Sequence, residues 1–449
     1  MMRLSEISRC FHGVIPSIIC TSDLAGIPNV TYVSEVYLID EKHVALSRQF
    51  FNKTSRNLDE NPRAVAEILD PVNFQAYRLH LKFLRTEKSG PMFETMSIRI
   101  QAIASATGMS GVFRLIGSDV FEVLRVEKVE GFLTGVPAEK PEPISVDGIR
   151  SELRGLHHIS DRINAASCLD VLLDHVLEAL ESFFGFEHTM ILLLDECSGK
   201  LVTMASRGYG GRGVGAEVEL GHGLIGTAAK QRQLVRLTSL EASLRYSRAV
   251  RRESGTRTPE IPLPGLADAE SALIIPLTIG ERLIGVLAAE DRDPMRFGDW
   301  HEAYLDIIGN QIALGIDRMT EREEDDAPEI KTAGDQQPKT STSPRRTLTY
   351  YVNDDAVFVD GEYLIRNVPG RILWKLMREW REAGRTEFTN RELRLDEKLG
   401  LPPVKDNLES RLILLRRRLD EKCPDVRRVP VSRGRFALQV DGEVELVER

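Results

Sequence analysis

The chain has 449 residues, of which 42% are hydrophobic and 28% charged, with a formal net charge of -9. That length suits about three ordinary domains, and the acidic balance excludes a molecule that binds nucleic acid over its whole surface, so charge has to be read block by block. Five scattered cysteines, Cys10, Cys20, Cys168, Cys197 and Cys423, include no CxxC pair, which argues against a zinc knuckle or disulfide framework and for a reducing, cytoplasmic location.

Met1 to Glu6 does not read as a signal peptide, and the apolar run near Val14 is short and broken by Pro16. No stretch of about 18 apolar residues occurs, so no membrane partner is expected. Two segments read as linkers. Residues 135–147 carry Pro137, Pro141 and Pro143 among charges, and residues 321–346 open on an acidic run and continue in Gln, Thr, Ser and Pro. The second buries too little to offset its ordering entropy and is expected to be disordered. They leave three blocks, residues 1–134, 148–320 and 347–449.

In the first block, Val14 to Thr21 and Val30 to Ile39 read as strands around a turn at Asp23 to Pro28. Tyr77, Leu79, Leu81 and Phe83 alternate with Arg78, His80 and Lys82, the period of a half-buried strand. Closely spaced strands with short loops predict antiparallel pairing and a small barrel. Ser47 to Leu58 places cations, hydroxyls and amides where a strand passes into a helix, a setting that suits a phosphate.

Through Gly26-x-Pro28, Lys53-Thr54-x-x-Asn57-Leu58-x-x-Asn61-Pro62 and Gly117 to Phe121, residues 10–130 resemble the pyridoxamine 5′-phosphate oxidase-like split barrels. The resemblance implies a homodimer with FMN in a cleft between subunits, and puts Ser47, Gln49, Lys53, Thr54 and Asn57 at the phosphate. Other members hold haem or a deazaflavin. The oxidase's C-terminal Arg/His motif has no counterpart near residue 130, which counts against oxidation of a vitamin B6 compound.

In the second block, Cys168 to Leu177 has helical spacing, and strands are read at Thr189 to Leu194 and Leu201 to Ser206. Gly221 to Gly226 lacks the Gly-Lys-Ser/Thr of a nucleotide-hydrolysing loop. A hairpin at Ser271 to Glu290 precedes a long helix that starts near Gly298 or Asp299. Residues 157–320 resemble a GAF domain, through the glycine loop, the Ser271 to Leu277 strand, the Gly285-Val286-Leu287 strand and the helix after Phe297. This implies a six-stranded antiparallel sheet with a small-molecule pocket on one face. His222, Arg245, Tyr246 and Arg248 are candidates to line it.

The third block reverses the charge: Lys405 to Arg435 holds ten Lys/Arg against five Asp/Glu. Leu408, Leu412, Leu415 and Leu419 form one stripe, and a helical wheel puts Asn407, Ser410, Arg411, Arg417 and Arg418 on the opposite arc, free to meet a groove or phosphates. Leu414 shares that arc and suits either a thymine methyl or a protein contact. Val357 to Leu364 and Val429 to Leu438 read as hairpins, the second with Arg433 and Arg435 at its tip. Thr389 or Asn390 caps a short helix. Residues 350–440 resemble the C-terminal effector domain of response regulators, on Leu412-x-x-Leu415-Arg416-Arg417-Arg418-Leu419 and Arg433-Gly434-Arg435-Phe436. That resemblance implies a winged helix with a recognition helix in the major groove.

The expected fold is thus multidomain α+β: an antiparallel split β-barrel, a GAF α/β sandwich and a C-terminal winged helix. The expected function is a ligand- or redox-responsive transcriptional regulator, with DNA and a small molecule as partners. The alternatives are an FMN-dependent oxidoreductase regulated by its GAF domain, or a non-catalytic interaction scaffold. No catalytic or metal-ligating constellation is read.

Overall fold

A computed structural model describes residues 2–12, 16–49, 53–71, 73–106, 114–130, 146–210, 213–238, 263–325, 345–401, 408–432 and 434–449. The first seven strands are β1 (Ser17–Ser22), β2 (Pro28–Val33), β3 (Val36–Leu38), β4 (His43–Arg48), β5 (Arg63–Leu69), β6 (Ala76–Glu87) and β7 (Gly117–Lys128). They form one antiparallel sheet in the order β2-β1-β5-β6-β7-β4-β3. β2 and β3 lie at its opposite edges, yet only Ser34 and Glu35 separate them in the chain. The two edges must therefore meet, and the sheet curls on itself.

The reading of Val30 to Ile39 as one strand is corrected here: β2 pairs with β1 and β3 with β4. The break is held by Ser47. Its N–H donates to the Glu35 carbonyl (3.0 Å) and its Oγ accepts from the Glu35 N–H (3.1 Å). Inside the curl lie Ile19, Val44, Leu46, Ala66, Leu79, Leu81 and Phe121, with Leu4, Ile7 and Phe11 of the N-terminal 3-10 helix packed on them.

Helix α1 (Lys53–Glu60) follows β4, and α2 (Pro91–Ala106) lies between β6 and β7. Alternate residues of α2 are buried, an unusual pattern for a helix. Met96 and Ile100 pack against Ala45 and Leu115 of the barrel, whereas Ile98 and Ala102 join the core of the middle unit. Two residues is about 200° of helix, so the two stripes are opposite faces of one shared layer.

The middle unit contains α3 (Val146–Ala165), α4 (Leu169–Phe184), β8 (His188–Asp195), β9 (Lys200–Arg207), β10 (Glu217–Glu219), α5 (Gly223–Gln231), β11 (Val235–Thr238), β12 (Ser271–Ile279), β13 (Arg282–Asp291) and α6 (Asp299–Asp325). Its antiparallel sheet runs β10-β9-β8-β13-β12-β11. Ile191, Leu193, Leu273, Ile275 and Leu277 face α3, α4 and α6. Met190, Leu192, Ala272, Ile274, Val286 and Ala288 face α5 and α2. Coverage on both faces explains why β8, β12 and β13 read as continuous apolar runs. Gly226 in α5 is required for close approach, since a Cβ there would lie 2.2 Å from the Glu219 carbonyl oxygen.

The last unit carries β14 (Arg346–Tyr351), β15 (Ala356–Val359), β16 (Glu362–Ile365), α7 (Asn367–Ala383), β17 (Glu387–Thr389), α8 (Asn390–Leu395), α9 (Leu408–Lys422), β18 (Val426–Ser432), β19 (Arg435–Val440) and β20 (Val444–Glu448). Its two sheets run β16-β15-β14-β20 and β17-β19-β18. Asp360 and Gly361 join β15 to β16, both at positive φ, as a two-residue type I′ turn requires. Thr389 is the cap of α8, its side chain accepting from the Glu392 N–H (3.2 Å). Leu408, Leu412, Leu415 and Leu419 are buried as the stripe predicts. Among the described residues no helix is long and apolar enough to cross a membrane.

His301 of α6 provides a test of the middle core. Its ring lies among Phe186, Phe297 and Tyr304, and Nδ1 accepts from the Gly298 N–H (3.0 Å). Burial, then Arg296 and Arg236, lower its pKa from 6.5 to about 4. The unfolded chain therefore binds a proton that the folded one refuses, and this contribution to stability, complete above pH 6.5, is lost as pH falls towards 4. Melting curves of wild type and His301→Gln should converge by a few degrees between pH 7 and pH 4.5, the wild type losing more.

Candidate functional site

Three regions carry the chemistry that the sequence singles out. The first is the strand-to-helix passage of the barrel. Thr54 Oγ1 accepts from Asn29 Nδ2 (2.9 Å), and Asn57 Nδ2 donates to Thr21 Oγ1 (3.2 Å), so both side chains brace α1 against β1 and β2. Ser47 is committed to the seam between β2 and β3. Gln49 Oε1 accepts from Ser34 Oγ (3.2 Å), but its Nε2 is buried without a partner. Lys53 is exposed at the start of α1. Of the five residues expected at a phosphate, Ser47, Thr54 and Asn57 also hold the frame, while Gln49 Nε2 and the exposed Lys53 are not engaged in it. The neighbouring edge strand presents Val30 and Tyr32 to solvent, at 64% and 72% exposure.

The second region is the outer arc of α9, where the wheel expectation fails for several residues. Arg418 is 3% exposed. Its Nε donates to the Leu364 carbonyl (2.9 Å), Nη2 to that of Tyr363 (3.4 Å), and Nη1 to Glu421 (2.6 Å). It ties α9 to β16 of its own unit. Ser410, Arg411 and Leu414 are buried too. Leu414 lines a cleft with Leu193, Val202 and Met204 of the middle unit, so its neighbours are protein. The physical reason is a second packing partner: a wheel assumes that one face is covered, and α9 is covered on two.

The arginines that leave their own unit end on aspartates of the middle one. Arg411 Nη2 donates to Asp195 Oδ1 (3.0 Å) and lies 3.1 Å from Cys197 Sγ. Arg417 donates to Asp170 (3.0 Å) and Asp174 (2.7 Å), and Arg416 also pairs with Asp170. Nearby, Arg366 forks onto Glu217. Burial works against the charges of Asp195 and Arg417. Hydrogen bonds from Ser198 and Arg411 nevertheless hold Asp195 below its ordinary pKa, and Asp170 and Asp174 hold Arg417 above its own. Arg435 pairs at 3.9 Å with Glu387. Asn407 and Arg433 lie outside the described residues.

The third region is the sheet face under α2 and α5. Tyr209 Oη donates to Glu290 Oε2 (3.1 Å), which also accepts from the Leu266 N–H (2.8 Å). The His188 ring meets Tyr209 edge-on at 5.6 Å. Burial raises the Glu290 carboxyl above its ordinary range. Glu290 follows Ala288 by two residues and so belongs to the same face, where a buried acid and a phenol offer hydrogen bonds to a small polar ligand. His222 stands apart: it is exposed and pairs with Glu219 (3.1 Å). Arg245, Tyr246 and Arg248 lie outside the described residues.

Comparison with known proteins bears on this third region. Residues 166–317 match the GAF domain family. This stretch of the chain is a GAF domain. Similar solved structures include the GAF domain of an Acinetobacter phosphoenolpyruvate-protein phosphotransferase, at 24% identity over 37% of this chain and 93% of that one, with a TM-score of 0.32. The corresponding domain from Coxiella burnetii is 22% identical over 39% and 98%, with a TM-score of 0.33. An FMN-binding protein from Syntrophomonas wolfei is 18% identical over 28% and 89%, with a TM-score of 0.23. No curated protein matches the chain. A GAF domain points to a sensory or regulatory role.

Several members of these sites were invisible to sequence reasoning. Asp170, Asp174 and Asp195 of the GAF domain look like ordinary helix and turn acids, and only the fold brings them to α9. Arg416, assigned to neither arc, is a partner of the same cluster. Glu290 did leave a signal, the first acid after the apolar run Leu283 to Ala289. Arg418→Ala should lower the stability of the C-terminal unit by about 3 kcal/mol, since it leaves carbonyls and a carboxylate unpartnered in a covered site. Urea unfolding followed through tryptophan emission, with Trp374 and Trp380 in that unit, would measure the loss.

Proposed function

We propose that the chain is a ligand- or redox-responsive transcriptional regulator, cytoplasmic and homodimeric, in which the GAF domain receives a small molecule and the C-terminal unit reads DNA as a winged helix. The observation that carries this reading is Arg411, Arg416 and Arg417 on one helix, aimed out of their own unit at anionic groups. Guanidinium groups in that disposition suit phosphates and base edges alike. The local basic excess in an otherwise acidic chain supports the same assignment. Arg433 and Arg435 would take the wing, and Arg418 holds the helix in place.

In the barrel we propose FMN, with Lys53 and the unpartnered amide of Gln49 at its phosphate, ahead of haem or a deazaflavin. Flavin, when bound, supplies one- and two-electron chemistry. The apolar edge at Val30 and Tyr32 supports a second copy of the chain beside the site. That same pair of residues, Gln49 and Lys53, is the one observation favouring a flavin-dependent oxidoreductase.

Two measurements test these assignments. Fluorescence anisotropy with duplex DNA at low salt should detect binding. In the triple Arg411→Ala, Arg416→Ala, Arg417→Ala variant, the slope of log K against log salt should become shallower by about one for each phosphate contact removed. A full-length protein that never binds DNA would remove the regulator reading. Titration with FMN, followed by visible absorption, should give binding that Lys53→Ala weakens about tenfold, the usual size of a lost charge-assisted contact. A protein that takes up no FMN removes the redox branch.

A further inference from the structure

The carboxylates that meet α9 form a set of their own. Asp170 lies in the first turn of α4, where the helix dipole stabilises a negative charge without help from any arginine. Asp195 accepts from the Ser198 N–H (3.1 Å) at the turn after β8. Asp174 is 60% exposed. Each would remain satisfied if α9 moved away. The arginines differ, because Arg411 and Arg417 are largely covered in the contact. On leaving, they need water or another anion.

We infer that Asp170, Asp174 and Asp195 of the GAF domain are a phosphate-mimicking surface, which holds Arg411, Arg416 and Arg417 in the place of DNA and keeps α9 from it. This rests on the reading of α9 as a DNA-binding helix. The contact and the duplex compete for the same guanidinium groups, so the two states exclude each other. Leu414 adds an apolar anchor in the cleft beside Leu193 and Met204, and the pair of Arg366 and Glu217 closes it. One strand joins the contact to the sensing face: β8 carries Met190 and Leu192 on the side under α5, and ends at Asp195. A ligand that shifts β8 acts on the latch directly, with no need for the residue 321–346 segment to transmit torque.

The test uses full-length protein, a fluorescein-labelled duplex of random sequence at low salt, and hydrogen exchange of peptides from α9. Two variants are compared with wild type: Asp170→Asn with Asp174→Asn, and Glu217→Gln, which leaves α4 untouched. Melting curves confirm that both fold. The expected result is faster exchange across residues 408–422 together with DNA affinity raised about tenfold or more. Unchanged exchange and unchanged DNA affinity in both variants overturn the latch and leave the DNA-binding reading standing. Faster exchange with no DNA binding by any form overturns the competition and the DNA-binding reading together.

Discussion

A sheet that is apolar on both faces has to be covered on both faces, and this constraint arranges the first two-thirds of the chain. The GAF sheet has α3, α4 and α6 on one side, three helices long enough to seal it. On the other side its own cover is α5, with nine residues. Among the described residues the remainder is supplied by α2 of the barrel, through Ile98 and Ala102 against α5 and β11. Exposing that area would be unfavourable at about 25 cal/mol per Å², so the barrel is part of the GAF core.

Charge follows the same junction. Glu35, buried beside the barrel seam, pairs with Arg99 of α2 (3.3 Å). Arg99 reaches Glu302 of α6 (3.7 Å), and Glu302 pairs with Arg236 of β11 (2.9 Å). Burial raises the Glu35 carboxyl despite Arg99. A buried pair adds little stability over an apolar one but penalises misplacement heavily. The network therefore fixes the angle at which α2 lies on the GAF sheet, while the apolar stripes provide the adhesion.

Much of this was legible in the sequence, and the failures share one cause. Strand alternation in β6, the Leu408 to Leu419 stripe, the Val357 to Leu364 hairpin and the cap at Thr389 or Asn390 are local signals, and each appears in the structure, the cap at Thr389. Helix α2 was not read at all: with Ile98, Ile100, Ala102 and Ala104 at alternate positions, its pattern imitates a strand. That alternation arises because two units bury opposite faces of it. The outer arc of α9 departs from its wheel for the same reason: a second partner covers it, and Arg418 holds β16. Among the barrel's five phosphate candidates, residue type alone does not show that Ser47, Thr54 and Asn57 also brace the strands. Patterns report that a face is covered, and they do not say how many partners cover it.

The two junctions of the GAF domain differ in the share of charge they carry. Towards the barrel the contact is a continuous apolar layer with its charges enclosed, an interface that opens only by unmaking a core. Towards α9 it is built from mostly covered ion pairs, Arg411 with Asp195 and Arg417 with Asp170, around one cleft, and the apolar residues on its two sides belong to a single core. A free-energy change at the Glu290 face is shared with the barrel by necessity, because α2 roofs both. Thermodynamic reciprocity then requires that a ligand in the barrel and one under α5 alter each other's affinity if either moves α2.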